Sequence, residues 1–208
     1  MSINFNNMGA EPAVKLDLSK NTDNVKLDLT KSNGRPLRNV YFGASWDPVV
    51  AGTPIDIDTS AVGLHSADNK WHTLDDVLYF NNKHTPYMEH SDDALTGAEV
   101  SGEGDDEYLI VHLENVPNDI NEIVLIATVY DAEKREQTFG MVRSEVLIKD
   151  KDSGEPLAKI SLSDDYATDY SVILGTITRG ANGVWSFITS GQGAMIEIGT
   201  VLTSYQAR

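Results

Sequence analysis

A chain of 208 residues is long enough to bury a substantial core, and all-β sandwiches of this size are often single domains. Acidic residues outnumber basic ones 32 to 16, and the formal charge of -16 attracts cations while repelling the phosphates of nucleic acid and anionic lipid, so neither is an expected direct partner. The absence of cysteine removes disulfides, thiolate nucleophiles and Cys-type zinc sites together, and it fits a cytoplasmic protein.

Met1 to Glu11, rich in Asn, has neither the basic nor the apolar segment of a secretory signal, and no later apolar run reaches transmembrane length. The expected organisation is a soluble chain with a flexible N-terminal arm over 1–12 and a single domain over 13–208. Val14-Lys15-Leu16-Asp17-Leu18-Ser19-Lys20 then recurs eleven residues on as Val25-Lys26-Leu27-Asp28-Leu29-Thr30-Lys31. Apolar and polar residues alternate in both copies, the period of a half-buried strand, and Asn21-Thr22-Asp23-Asn24 supplies turn residues between them, so the spacing predicts an opening hairpin. Further strand-like runs occupy 40–44, 59–64, 77–80, 108–113, 123–130, 137–148, 156–162, 171–178 and 184–189, punctuated by turn clusters at 31–34, 152–154 and 179–183. Many short strands at such spacing predict an all-β fold, a two-sheet antiparallel β-sandwich. Helix is limited to one turn at 117–122 and a minor helix near the C-terminus over 194–205.

The chemistry concentrates in the acidic, Gly-rich loop from Thr96 to Glu107, together with Asp56-Ile57-Asp58 and Asp92-Asp93 upstream. Crowded carboxylates repel one another unless something neutralises them, and a hard divalent cation with oxygen ligands is the commonest neutraliser. Alternate residues of a strand face the same side, so Asp56 and Asp58 are placed as a two-pronged ligand while Ile57 packs the other way. Calcium takes six to eight oxygens in irregular geometry. Asp93, Asp105, Asp106 and Glu107 are available to complete such a shell, assisted by loop carbonyls around Asn82 and Gly104. A solvated acidic loop is the competing reading, and on composition alone the two weigh about equally.

The segments in their order resemble the TerD family of tellurium-resistance and stress-response proteins, over nearly everything after Ala13. The resemblance is carried by the duplicated opening, by Phe42-Gly43-Ala44-Ser45-Trp46-Asp47, by Ile55-Asp56-Ile57-Asp58-Thr59-Ser60-Ala61 and by Tyr79-Phe80-Asn81-Asn82-Lys83. It continues through His90-Ser91-Asp92-Asp93-Ala94-Leu95-Thr96-Gly97, Gly104-Asp105-Asp106-Glu107, Phe139-Gly140-Met141-Val142, Trp185-Ser186-Phe187 and Gly191-Gln192-Gly193. Each piece is weak alone; the ordered set is specific. The resemblance implies a β-sandwich that binds calcium, usually two ions, through acidic loops at one end. The chain departs from the family's Gly-Asp-Asn at Asp92-Asp93-Ala94, where Asp93 keeps the acid, Ala94 loses the amide and Asp92 replaces the glycine. The loop from Gly97 to Gly104 is also rewritten, with Glu99 and Glu103 as candidate substitutes.

The other constellations carry less. Asp150-Lys151-Asp152-Ser153-Gly154 begins like an EF-hand loop, but Ser161 stands where the bidentate glutamate belongs, so a hairpin turn is expected. The histidines at 65, 72, 84, 90 and 112 lack zinc spacing, and His90 lies close enough to Asp92 and Asp93 to tune the acidic site. No nucleophile elbow or phosphate loop is present. Trp46 and Trp185 read as core, Trp71 as the exposed aromatic. The expected function is that of a calcium-binding stress-response protein, not an enzyme, whose ions order the acidic loops into a surface for protein partners. The alternative is a structural component of a virion or multi-subunit complex, a homo-oligomer or subunit that uses the same calcium-stabilised sandwich as a building block.

Overall fold

The computed structural model describes residues 14–17, 24–31, 33–92, 94–96, 105–162 and 165–207, the first of these segments by its backbone alone. One six-stranded sheet runs, edge to edge, through β1 (Val14–Asp17), β10 (Pro156–Ser161), β9 (Val142–Asp150), β3 (Asn39–Pro48), β7 (Glu107–His112) and β6 (Met88–His90). The second, also six-stranded, runs through β2 (Lys26–Asp28), β12 (Trp185–Ala194), β11 (Ser171–Arg179), β8 (Ile120–Val129), β4 (Ile57–His65) and β5 (Val77–Leu78). Neighbours are antiparallel throughout, except that β1 lies parallel to β10.

Period-two alternation explains why the sheets stack. On β3, Val40, Phe42, Ala44 and Trp46 point inward; on β8, Ile123, Leu125, Ala127 and Val129 face them across the interior. The Phe42 and Phe187 rings meet 5.7 Å apart between the sheets. The opposite face of the second sheet is apolar too: Val62, Leu64, Val124 and Ile126 form a smaller cluster capped by Val201 of α2 (Ile198–Ser204). That cover is why β4 is buried along nearly its whole length rather than in alternation.

Three local expectations are corrected. The duplicated opening does not make a hairpin: β1 joins the first sheet beside β10, and β2 joins the second beside β12. Each copy has the same alternation in sequence, and each of two open sheet edges offers it a partner, so tertiary pairing wins over proximity; the predicted turn residues 21–23 lie outside the described residues. The predicted C-terminal helix is shorter, because β12 runs on to Ala194 and helix begins only at Ile198. The single helical turn expected at 117–122 gives way to a turn, with β8 starting at Ile120. The hairpin expected at 150–154 is present, joining β9 to β10.

Registers gather the carboxylates. Ala44 pairs with Glu107, Pro48 with Val142 and Ile57 with Val129, so the end of β3, the starts of β4, β7 and β9, and the end of β8 share one end of the sandwich. Asp47, Asp56, Asp58, Asp105, Asp106, Glu107 and Asp131 therefore belong to this acidic end.

Candidate functional site

Asp56 and Asp58 are 4% and 2% exposed, and Asp58 alternates with Ser60, Val62 and Leu64 on the outward face of the second sheet. Opposite Asp58 stands Thr128 of β8. The hydroxyls of Thr128 and Ser60 are buried and meet no hydrogen-bond partner among the described residues. A backbone bond from the Tyr130 N–H to the Asp56 carbonyl, 2.9 Å, ties this corner to the end of β8. Asp58, Ser60 and Thr128 thus bring carboxylate and hydroxyl oxygens to this end of the face, the kind of donor a hard cation selects.

Asp105, Asp106 and Glu107 are consecutive, but only Glu107 belongs to β7, where it alternates with the inward Leu109 and Val111; Asp105 and Asp106 lie in the bend before the strand. The Asp105 carboxylate lies on the outward side of the first sheet, where Tyr41 Oη donates to its Oδ2 at 2.6 Å and Ser45 Oγ to its Oδ1 at 3.0 Å. Between those donors Gly43 leaves the room: a Cβ there would stand 2.1 Å from Asp105 Oδ2. The Lys149 ammonium, itself only 4% exposed, sits 3.9 Å over the Tyr41 ring beside this group. Asp106 Oδ2 accepts the Trp46 N–H at 2.9 Å, just before β7 begins. Glu107 turns inward, where its Oε2 accepts from the Thr59 N–H at 2.9 Å and the Thr59 hydroxyl at 3.1 Å.

His90 completes the inner group, 3.6 Å from Glu107 with both side chains wholly buried. Its Nδ1 faces the Ser91 carbonyl at 3.0 Å and its Nε2 the Thr59 carbonyl at 2.9 Å. The Thr59 hydroxyl also lies 3.0 Å from Nε2, so the ring is fixed in place by Ser91 and Thr59 beside the Glu107 carboxylate. The sequence suggests His90 as a neighbour of Asp92 and Asp93; its actual partner, Glu107, is remote in the chain and close through the pairing of β6 with β7. Asp92 itself is exposed and reaches Lys83 Nζ at 3.4 Å, a surface pair of small energetic weight.

Asn82 lies apart from these groups in its bonding. Its amide nitrogen donates to the carbonyls of Leu74 at 2.8 Å and Val77 at 2.6 Å, while its backbone exchanges bonds with Tyr79, so it clamps the turn after β5. Asp93 and Gly104 lie outside the described residues, as do Glu99 and Glu103. Among the described residues no three His, Asp or Glu side chains come close enough together to hold an ion by themselves. Asp105 and Glu107 are each bound to protein hydroxyl or amide donors, and Asp56 and Asp58 share their face with the Ser60 and Thr128 hydroxyls. Elsewhere, Trp46 and Trp185 are core as expected, and Trp71 is half-buried rather than exposed: its indole N–H donates to the Leu202 carbonyl at 2.8 Å and pins α2 to the sheet.

A model of the TerD domain matches residues 15–205. General stress protein 16U of Bacillus subtilis is 36% identical over 185 residues, which cover 86% of this chain and 93% of that protein. The tellurium resistance protein TerD of an Alcaligenes species is 31% identical over 196 residues, covering 92% of this chain and 97% of its own. A crystal structure of a homologue of telluride resistance protein TerD from Streptomyces coelicolor superposes with a TM-score of 0.62 at 19% identity, over 80% of this chain and 95% of that one, a likeness of fold.

Proposed function

The chain belongs to the TerD family, whose named relatives are tellurium-resistance and general stress proteins, and from that premise we propose that it is a stress-response protein that works by binding calcium at its acidic end. Asp56 and Asp58 are the proposed ligands at the mouth of the second sheet, joined by Asp106 and by donors of the acidic loop that include Asp93 and the Gly104 carbonyl. The observation that carries this reading is that two almost wholly buried carboxylates, Asp56 and Asp58, lie beside the buried hydroxyls of Ser60 and Thr128. Two ions per chain is the proposed stoichiometry, on the family resemblance. When bound, calcium supplies positive charge and up to eight coordination positions that no side chain of this chain offers.

What the chain's own residues do is hold the loop termini. Asp105 is tied to the first sheet through Tyr41 and Ser45, and Glu107 bridges the sheets through Thr59 and His90, so the strand ends flanking the acidic loop are fixed before any ion arrives. Fixed flanks lower the ordering cost of a loop that closes on a cation. The proposed output is a calcium-dependent surface for protein partners, in the cytoplasm, with binding rather than turnover as the activity. Among the described residues no helix is long and apolar enough to cross a membrane.

Thermal unfolding of chelator-treated protein with calcium, magnesium or neither tests the reading, followed by calorimetric titration for stoichiometry. A calcium-specific rise in Tm is expected, because a ligand that binds only the folded state stabilises it by about 2.7 kcal/mol at a hundredfold excess over Kd. Asp58→Asn should abolish most of that rise while leaving the strand signal in circular dichroism unchanged. Equal melting in calcium and in chelator would defeat the proposal.

A further inference from the structure

Beside the acidic end, on the outward side of the second sheet, the chain leaves β8 through Tyr130 and Asp131 into α1 (Ala132–Arg135) and meets the start of α2. A cleft of about 400 Å³ lies between them, walled by Phe80, Tyr130, Asp131, Glu133, Lys134 and Glu197. Its floor is aromatic: Phe80 and Tyr130 meet edge to face at 5.8 Å. Its walls carry three carboxylates against one ammonium, and that ammonium, Lys134 Nζ, is already paired with Asp131 at 3.0 Å. Glu197 is held in place, its Oε1 accepting the Glu133 N–H at 3.1 Å. Burial first, and then the charges of Glu133 and Glu197, push the neighbouring Tyr170 phenol above its ordinary range, a mark of the negative potential at this spot.

We propose that this cleft receives an arginine side chain of a protein partner. An aromatic floor with an acidic rim suits a cation that is weakly hydrated, planar and able to hydrogen-bond along its edge, which describes guanidinium better than ammonium. The chain's own Arg135 guanidinium lies 5.0 Å over the Tyr130 ring, so the ring accepts this kind of cation, and an incoming arginine shares that ring with Arg135 or takes its place. The mouth is open, with Tyr130 38% exposed and Glu133 and Lys134 at the surface, so a side chain can enter while its own backbone stays outside. A basic partner is also the one that the whole chain, at -16, draws toward itself. The residues involved are not those proposed to hold calcium, so this inference stands or falls separately.

The test is an NMR titration of the chelator-treated full chain with Nα-acetyl-arginine methylamide, its uncharged citrulline counterpart, and agmatine as a free guanidinium compound. Binding of the blocked arginine, with shifts centred on Tyr130 and Glu197 and none from the citrulline compound, is the expected result. Tyr130→Leu, which keeps apolar bulk, and Glu197→Gln, which keeps the acceptor for the Glu133 N–H, should each weaken binding about fivefold, the size of one cation–π or charge-assisted contact. Asp131→Asn serves as a further variant that holds the backbone, because Asp131 sits at φ 51° and asparagine tolerates that region. Equal binding of citrulline, or unchanged affinity in all these variants, overturns the proposal; binding of agmatine without the blocked arginine overturns it in favour of a small-molecule site.

Discussion

Gly43 shows how much a single residue can decide at the acidic end. It lies on β3 between Tyr41 and Ser45, both of which donate to Asp105, and a methyl group there would overlap the carboxylate it leaves room for. The flexible end of a side chain can usually move aside, but Asp105 is 4% exposed and held by two donors, so moving it breaks its buried hydrogen bonds from Tyr41 and Ser45. Gly43→Ala is therefore expected to destabilise the protein by about 2 kcal/mol, read as a lower urea midpoint with an unchanged slope. Gly52 is the control: it has no heavy atom near the added Cβ, and its φ of 83° makes the cost of an alanine there conformational alone. At the same scale, the consecutive acids 105 to 107 do not act as a cluster, because the bend at 105–106 sends Asp105 to the outward partners Tyr41 and Ser45 while β7 carries Glu107 inward.

At the scale of the element, the β9–β10 hairpin illustrates a turn with a charge at its centre. Asp150 is buried, and that burial by itself raises the carboxyl pKa. The Ser153 hydroxyl at 2.6 Å, the Asp152 N–H at 3.1 Å and Lys31 at 3.3 Å outweigh it and leave the group below the ordinary carboxylate range. A depressed native pKa means that this contribution to stability is complete above the unfolded value of about 3.9 and is lost as pH falls through the folded value. The expected outcome is that Asp150→Ala lowers stability by about 2 kcal/mol at pH 7 and loses less than the parent does between about pH 4 and pH 2, measured by urea unfolding at each pH. The same hairpin was legible in the sequence, because Asp152-Ser153-Gly154 is a local turn signal and Gly154 takes φ 73°. The opening pair of strands was legible only in part: alternation marked each as a strand, while nothing local says that β1 completes one sheet and β2 the other.

At the scale of the whole molecule, a 22.8 kDa chain carries a charge of -16, and the strand registers bring seven of its carboxylates to one end. Self-repulsion of this kind favours expansion and is relieved by screening. Chelated protein should therefore melt several degrees higher in about 0.3 M potassium chloride than in about 0.02 M, and calcium at millimolar concentration should exceed that shift, since a site-bound ion acts beyond general screening. An equal effect of calcium and of potassium at matched ionic strength would assign the acidic end to solvated surface.

What the sequence determined by itself was what depends on near neighbours: the strands, from alternation; the turns, from Gly, Asn and Asp; the core placement of Trp46 and Trp185; and the carboxylates at strand ends. What only the tertiary structure decided was partnership across the chain. Thr59 binds Glu107, His90 reaches the Thr59 carbonyl, and Trp71 closes on Leu202, each through contact between segments whose separation in sequence carries no signal. The reason is physical: the period of two assigns a residue to a face at a cost paid within a few residues, whereas the choice of neighbouring strand is made by burying surface against whichever distant edge remains open.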